Sequence, residues 1–483
     1  MLEPVNPNKW LVFATVACGS FMATMDLSVV NLALPSLRQS FHIELADVEW
    51  VVLTYLMVIT SLLLPMGRLA DLVGRSRLYN LGFVVFTAGS ILCGAAPTIP
   101  ALVIFRAIQA VGASMLISSA TAILLDAFPA SQRGQVMGLN GSIFSVGSMI
   151  GPTLGGLLLT YFGWRAIFLV NVPIGLLGMV LAFRVLPRWP RDIAARFDVA
   201  GAALVGLSII GLLLTINQAQ RQGLSSSVGL LGGVTALLIA LFVARQLTAA
   251  QPLVRFGLFR TPGFSNATLA QAMTSLANSS NLFLLPFFLV SIQGRTEAEA
   301  GLMLIASSVT SFVMQPLGGW LSDRTDPRYV ASGGLLVSML GLWLYSGVNV
   351  GWRVSDVVLR LIVMAIGFGL FVSPNASAAY RFVRPEERGL AVGTVAFIRN
   401  LGFTLGTAVA GIIWTLRSVA QGQVLGVAAS STQAGVAGLH DTFLILGGFL
   451  LVGLLASLAR PSPGRGRAAL EAGQLSDVPV AID

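Results

Sequence analysis

Three charged side chains lie well inside the long apolar stretches of this 483-residue chain: Asp26, Arg106 and Arg399, whereas Arg360 lies closer to the end of its stretch. A charge near the centre of a bilayer costs about 3 kcal/mol or more, so such residues normally face a partner or a water-filled cavity. An aspartate beside an arginine can bind and release a proton, because burial favours the neutral acid and the guanidinium favours the carboxylate. These residue types therefore fit either a proton-handling pair or a permanent ion pair.

Asp26 and Arg106 are predicted to lie at a similar depth. Asp26 is about eight residues, or ~12 Å at the rise of an α-helix, from the outer end of its apolar run. Arg106 is about seven residues, or ~11 Å, from the outer end of its own run. We therefore expect the two side chains to face one cavity, where they would either couple transport to proton movement or hold two helices together.

The elements that carry these charges are predicted to be membrane-spanning helices. The chain is 55% hydrophobic and only 10% charged, whereas soluble proteins average about 25% charged residues. About twenty apolar residues cross the hydrocarbon core as a helix, and the sequence contains fourteen such runs. The predicted fold class is an all-α polytopic membrane protein.

The basic residues set the predicted orientation. Of the 29 basic residues, 20 fall in the even-numbered gaps and the two termini, six fall in the odd-numbered gaps, and three lie within spans. Basic residues accumulate on the cytoplasmic side of membrane proteins. Both termini are therefore expected in the cytoplasm.

Spans 1–6 are predicted to recur as spans 9–14. Four glycines of span 5 reappear 255 positions later in span 13, and Arg133-Gly134 reappears as Arg388-Gly389. Two related six-span halves with a midplane site between them are a known transporter plan. The predicted domains are a six-helix bundle (1–186), a linker with two inserted helices (187–263), a second six-helix bundle (264–461) and a cytoplasmic tail (462–483).

Residues 67–77 (GRLADLVGRSR) are predicted to form a charged cytoplasmic turn, with a near-copy 252 positions later. An aspartate there can accept hydrogen bonds from a neighbouring helix N-terminus, where the helix dipole favours an anion. We expect a latch that breaks during a conformational cycle; the alternative is a solvated loop that only sets topology. The candidate gating residues are Gly67, Asp71, Gly74, Arg75, Arg77, Asp323 and Arg324.

Span 5 carries a glycine motif with one proline. Small residues let helix backbones approach closely, and a proline inside a helix removes one hydrogen bond and bends it. The motif is expected to guide a rocking motion, with generic close packing as the alternative. Its residues are Gly147, Gly151, Pro152, Gly155 and Gly156.

Candidate substrate-cavity residues are polar or aromatic side chains in or near spans. For each one alone, ordinary packing or an interhelical hydrogen bond is the stronger alternative. The candidates are Asn31, Tyr55, Gln109, Asn281, Phe283, Gln315, Asn375 and Arg399.

Several function classes are disfavoured by the composition. Lys9 is the only lysine and does not follow a glycine-rich loop, so ATP binding through a phosphate-binding loop is not expected. The net charge of +9 lies in loops and serves topology, so nucleic acid is not an expected partner. No catalytic or metal-ligating motif is present, and we expect neither enzymatic activity, nor a metal, nor a cofactor. Cys18 and Cys93 lie in apolar runs, where a structural disulfide is not expected.

Five segments together resemble the fourteen-span drug:proton antiporters of the major facilitator superfamily. Residues 25–35 (MDLSVVNLALP) resemble that family's first-helix motif, and residues 67–77 resemble the loop signature of the superfamily. Residues 106–113 (RAIQAVGA) resemble the fourth-helix motif, and residues 147–156 resemble the antiporter motif of the fifth helix. Residues 164–173 (WRAIFLVNVP) are similar to a stretch that opens the sixth helix.

The resemblance implies the major facilitator fold and a proton-coupled antiporter in the bacterial inner membrane. It implies that Asp26 couples transport to protons and that Arg106 takes part in proton transfer. The expected substrates are amphiphilic drugs, antibiotics or toxic metabolites, exported by alternating access and driven by the proton gradient. The protein is expected to be a monomer in the lipid bilayer, with a periplasmic adaptor left open as a partner. The alternative is a dedicated exporter or facilitator of a single metabolite.

Overall fold

The computed structural model describes residues 8–42, 48, 50–187, 197–222, 225–249, 252–295, 297–381, 383, 387–428 and 431–460. Within these ranges the regular secondary structure is entirely helical, and fourteen helices are long and apolar enough to cross a membrane. This confirms the predicted fold class. The helices are α1 (Lys9–Phe41), α2 (Trp50–Val73), α3 (Arg75–Gly94), α4 (Ile99–Ala127), α5 (Arg133–Phe162), α6 (Asn171–Val185), α7 (Val199–Gln222), α8 (Ser226–Thr248), α9 (Pro262–Phe287), α10 (Glu297–Arg324), α11 (Pro327–Ser346), α12 (Val354–Arg381), α13 (Arg388–Leu425) and α14 (Thr432–Leu458).

Two short helical segments complete the spans. The turn Ala166–Leu169 precedes α6 and forms one span with it, and the π-helical turn Phe288–Ile292 follows α9. Pro286 lies inside α9 just before that turn. Because proline cannot donate a backbone hydrogen bond, a change of helical geometry close to it is expected.

The predicted repeat appears in the pattern of helix packing. α4 packs against α1, α2 and α3, and α6 packs against α1 and α3. The same pattern recurs eight helices later, since α12 packs against α9, α10 and α11, and α14 packs against α9 and α11. The inserted helices α7 and α8 pack against each other, and α7 also packs against α2. The six-plus-two-plus-six organisation of the spans is therefore confirmed.

Contacts divide the chain into two compact units. Unit 1 comprises Met1–Ala130, Ile143–Phe256 and Glu386–Phe397; unit 2 comprises Ser131–Ser142, Gly257–Pro385 and Ile398–Asp483. The start of α5 thus belongs to unit 2, and the start of α13 belongs to unit 1. The domain boundaries at residues 186, 263 and 461 remain predictions.

Glycines permit close helix crossings at repeat-related positions. A Cβ on Gly147 would lie 2.9 Å from the Thr24 Cβ of α1, and one on Gly402 would lie 2.9 Å from the Ser275 Cβ of α9. Gly151 and Gly406 lie four residues further along each helix and approach α1 and α9 in the same way. The matched glycines in the sequence therefore mark matched helix crossings.

The charged segment 67–77 is mostly helical rather than an extended turn. Helix α2 continues to Val73, and α3 begins at Arg75, so the break is confined to Gly74. Gly74 has φ = 101°, a backbone conformation that side-chain-bearing residues rarely adopt. The predicted turn therefore occupies one residue, and the charged side chains project from the two helix ends that flank it.

The inserted pair of helices is anchored by a helix cap at Asp198. The Asp198 carboxylate accepts a hydrogen bond from the Gly201 backbone N–H at 3.0 Å and lies 3.1 Å from the Arg245 guanidinium of α8. The Gln246 side-chain oxygen accepts from the backbone N–H groups of Leu253 and Val254. These bonds join the start of α7 to the end of α8 and the segment after it.

Candidate functional site

The centre of the candidate site is a fully buried ion pair between α1 and α4. Arg106 Nη1 lies 2.6 Å from Asp26 Oδ2, and both side chains have no solvent-exposed surface. Removing two charges from water is costly, and their attraction offsets that cost only when further hydrogen bonds satisfy the remaining polar atoms. The neighbouring side chains supply several of these bonds.

Gln109 connects the two charges. It lies three residues after Arg106 on α4, and residues at this spacing lie on the same face of a helix. Its Oε1 accepts a hydrogen bond from Arg106 Nη1 at 2.6 Å, and its Nε2 donates to Asp26 Oδ1 at 2.9 Å. The same Nε2 donates to Ser90 Oγ of α3 at 2.7 Å.

A close crossing of α3 and α4 allows these bonds. A Cβ on Gly89 would lie 2.7 Å from the Gln109 Cα, and one on Gly112 would lie 2.3 Å from the Phe86 nitrogen. Since real Cβ atoms do not approach backbone this closely, any larger residue at either position would push the helices apart. The glycines thereby keep Gln109 within reach of Ser90 and Asp26.

Asn171 provides a third hydrogen bond to the aspartate. Its Nδ2 donates to Asp26 Oδ1 at 2.9 Å, and the side chain is fully buried at the start of α6. The Asn171 Oδ1 atom is also buried and has no hydrogen-bond partner among the described residues. Asp26 is therefore held by side chains from α4 and α6.

Tyr55 of α2 covers the guanidinium. Its ring centroid lies 4.0 Å from Arg106 Cζ, a distance at which a cation is attracted to an aromatic face. Arg106 Nε donates to the Val51 carbonyl, one turn earlier on α2, at 3.2 Å. We call Asp26, Arg106, Gln109, Asn171 and Ser90 the Asp26 cluster; Tyr55 closes it on the side of α2.

The structure brings together four residues singled out from the sequence: Asp26, Arg106, Tyr55 and Gln109. The last two were predicted as cavity residues and instead contact the ion pair. The sequence prediction did not assign Asn171 or Ser90 to the ion pair. Asn171 lies in residues 164–173, which resemble a family motif, and this resemblance could have drawn attention to it. Ser90 lies in none of the motifs found in the sequence.

The other cavity candidates are distributed over several helices of both units. Asn31 is exposed on α1 and bonds the Leu27 carbonyl of its own helix. Asn375 is buried in unit 2, where it bonds Ala267, Gln271 and the Arg460 guanidinium. Gln315 is buried on α10 beside Gly138 and Gly141 of α5, and Arg399 is partly buried on α13. The side chains of Asn281 and Phe283 lie outside the described residues.

The glycine motif of span 5 lies on α5, near its crossing with α1. Gly147, Gly151 and Gly155 are buried and Gly156 is partly buried. The Pro152 side chain lies outside the described residues.

The gating residues form two separate arrangements. In unit 1, Arg75 lies 3.1 Å from Asp71 Oδ1 and also pairs with Asp126 of α4. Asp126 was not predicted from the sequence, because nothing in the chain order places the end of α4 beside Arg75. Gly67 and Gly74 are buried, whereas Arg77 is exposed.

In unit 2, Asp323 caps the N-terminus of α5. Its two carboxylate oxygens accept from the backbone N–H groups of Gly134 and Gln135 at 2.9 and 2.8 Å. A Cβ on Gly319 would lie 2.1 Å from the Gly134 carbonyl oxygen, so glycine permits this approach. Arg324 is exposed and stacks on Trp320 at 3.9 Å. The predicted bond between an aspartate and a helix N-terminus is thus present at the second copy of the motif.

Comparison with known proteins identifies the family. The Major Facilitator Superfamily profile matches residues 16–265 and 267–480. The chain is 33% identical over 405 residues to the riboflavin transporter RibZ of Clostridioides difficile, covering 83% of this chain and 87% of RibZ. It is 32% identical over 412 residues to the multidrug resistance protein Stp of Mycobacterium tuberculosis, covering 85% of this chain and 76% of Stp.

A solved structure supports the same fold. The human organic anion transporter MFSD10 superposes with a TM-score of 0.65 at 17% identity, covering 92% of this chain and all of that chain. The part of the chain that the structure describes contains fourteen candidate membrane spans, and the protein is a multi-pass membrane protein of the transporter class. It belongs to the Major Facilitator Superfamily, which confirms the resemblance seen in the sequence motifs.

Proposed function

We propose that this protein is a proton-coupled antiporter that exports amphiphilic small molecules by alternating access. The observation that carries the proposal is the fully buried Asp26–Arg106 pair with its amide ligands. A buried carboxylate in a membrane helix that interacts with several partners is typical of proton and substrate pathways. No other cofactor is needed in this scheme, since the proton gradient supplies the energy.

Asp26 is the proposed proton carrier and Arg106 its electrostatic partner. When Asp26 binds a proton, its attraction to Arg106 weakens and the charge of the pair changes. A conformational equilibrium between outward-open and inward-open states can then respond to the proton. If substrate and proton bind to different states, each lowers the apparent affinity for the other, and this reciprocity provides antiport.

The gating residues are proposed to change partners during this cycle. The Asp323 cap on α5 and the Asp71–Arg75–Asp126 cluster are small sets of charged bonds at helix ends. Such bonds are strong enough to favour one state and weak enough to exchange. We place the gating residues and both termini on the cytoplasmic side of a bacterial inner membrane, in accordance with the distribution of basic residues.

A dedicated transporter of one metabolite is the second candidate. It is supported by the similarity to RibZ, whose name gives riboflavin as its substrate. The similarity to Stp, named as a multidrug resistance protein, supports the broad range instead. Of the three charged residues predicted within the apolar stretches, only Asp26 is an acid. Substrates that are neutral, zwitterionic or singly cationic fit this single aspartate better than dications.

Transport into proteoliposomes under an imposed pH gradient tests the proposal. Wild type and Asp26→Asn would be compared with a panel of amphiphilic dyes and with riboflavin. We expect wild type to accumulate at least one dye against its gradient and Asp26→Asn only to equilibrate it. Equal uphill transport by both proteins would contradict coupling through Asp26. Uphill transport of riboflavin alone would select the second candidate.

A further inference from the structure

Asn171 differs from the other amide of the Asp26 cluster in having an acceptor atom without a donor. Its Nδ2 donates to Asp26 Oδ1 at 2.9 Å. Its Oδ1 is buried and bonds nothing among the described residues. A buried polar atom without a partner costs free energy, because it has lost its hydrogen bonds to water. The Asn171 oxygen can accept a hydrogen bond from Asp26 once the carboxylate is protonated and carries an O–H group.

Gln109 cannot change orientation at low cost. Its Oε1 accepts from Arg106 Nη1 at 2.6 Å, and its Nε2 contacts both Ser90 Oγ and Asp26 Oδ1. Rotating this amide by 180° would place its N–H groups against the guanidinium and its oxygen against the carboxylate. Three bonds therefore hold Gln109 in the orientation that serves ionised Asp26.

Protonation of Asp26 creates a new O–H donor that the side-chain oxygen of Asn171 can accept. Oδ2 faces the Arg106 N–H group, so a proton is better placed on Oδ1. Oδ1 faces the amide nitrogens of Gln109 and Asn171, and both are donors only. Arg106 has no acceptor, and the other titratable groups near Asp26, Tyr55 and Cys93, make no hydrogen bond to it. Among the described residues that bond Oδ1, a new O–H group therefore meets only donors unless an amide rotates.

We propose that Asn171 is a positioning residue whose amide rotates by 180° when Asp26 binds a proton. The inference rests on the proposed role of Asp26 as the proton site. In the ionised state Nδ2 donates to Asp26 Oδ1. In the protonated state the Asp26 O–H donates to Asn171 Oδ1. A hydronium ion on one side gives up its proton, so one of its O–H bonds breaks as the Asp26 O–H bond forms. On the other side the Asp26 O–H bond breaks and a water molecule takes the proton to form hydronium.

The rotation gives both states of Asp26 a hydrogen bond with the same residue. Before the rotation the aspartate is linked to α6 as an acceptor, and after it as a donor. The link between α1 and α6 is therefore kept while the charge of the ion pair changes. Gln109 keeps its orientation and connects Asp26 to Ser90 and Arg106, whereas Asn171 changes its orientation when Asp26 binds a proton.

Infrared difference spectra between acidic and neutral pH test this inference. The carboxylic-acid band of Asp26 is identified by its loss in Asp26→Asn. Asn171→Leu has the same shape as asparagine and can neither donate nor accept, so we expect the acid band to move to higher wavenumber. Asn140→Leu makes the same change in a buried asparagine outside the Asp26 cluster and should leave the band in place.

A measurement on unmutated residue 171 covers the case in which Asn171→Leu does not fold. With the side-chain carbonyl of asparagine labelled by ¹³C, protonation should lower one asparagine band, because Oδ1 gains a hydrogen bond. The change should disappear in Asp26→Asn. An Asp26 acid band without any asparagine change would overturn the rotation and leave the proton site standing. Absence of an Asp26 acid band across the pH range of transport would overturn both.

Discussion

Arg106→Gln should be one of the most destabilising single changes in unit 1. Arg106 Nη1 lies 2.6 Å from Asp26 Oδ2, and both side chains are fully buried. The substitution leaves a buried carboxylate without its cation, which costs about 3–5 kcal/mol. The variant also loses the bond to the Val51 carbonyl and the contact with the Tyr55 ring.

A matched control separates burial from charge removal. Arg417 pairs with Asp441 at 2.7 Å, but its side chain is 44% exposed. Exposed pairs contribute about 0–1 kcal/mol, so Arg417→Gln should change stability by no more than that. Both changes remove one guanidinium from a short ion pair and differ mainly in burial.

Equilibrium unfolding in detergent micelles at neutral pH would measure the two variants. Adding Asp26→Asn to Arg106→Gln should recover part of the loss, because a neutral amide needs no cation. The reasoning is refuted if Arg106→Gln costs no more than Arg417→Gln, or if the double variant is no more stable than Arg106→Gln alone.

Three further predictions follow from packing, capping and burial. Gly406→Ala would place a Cβ 2.3 Å from the Leu276 carbonyl oxygen and should lower the unfolding free energy by about 1–3 kcal/mol, whereas Gly448→Ala has nothing within 4 Å and should not. Asp323→Asn should weaken the α5 cap by about 1 kcal/mol and speed hydrogen exchange at Gly134 and Gln135, while Asp326→Asn, at the cap of α11, should leave those amides unchanged. Burial lowers the pKa of Arg460 to about 10, so charged Arg460 reduces the free energy of unfolding below pH 10, and this cost declines as pH rises toward the ordinary pKa of arginine. Arg460→Met removes this cost, so the difference in unfolding free energy between the variant and wild type should shrink by about 1 kcal/mol between pH 8 and pH 11. A constant difference over that range would mean that the guanidinium is not desolvated.

The number of spans and the repeat were predictable because they depend on chain-local properties. Apolar runs of about twenty residues predict helices wherever they occur, and equal glycine spacing in α5 and α13 predicts equal crossings. The shared depth of Asp26 and Arg106 also follows from counting residues along two spans. These inferences need no knowledge of how each helix is rotated about its axis.

The amide contacts to Asp26 depend on that rotation and were not predictable. Asn171 reaches Asp26 because α6 packs against α1, and Ser90 reaches Gln109 because glycines bring α3 close to α4. Asp126 meets Arg75 for a similar reason. A single sequence contains each residue type but not the angle at which its helix presents it.

The helix cap shows a related limit. The sequence predicted that Asp71 accepts from a neighbouring helix N-terminus, and the structure shows this bond at Asp323, its counterpart in the repeat. Among the described residues Asp71 bonds Arg75. The motif identified the chemistry, whereas the structure shows which copy carries it.

Proton movement measured during substrate transport tests the central claim most directly. Proteoliposomes loaded with a pH-sensitive dye would receive a substrate gradient and no imposed pH gradient. The proposed antiport predicts a pH change that opposes substrate flow in wild type and is absent in Asp26→Asn. Substrate movement by wild type without any proton movement would contradict the account and indicate a facilitator.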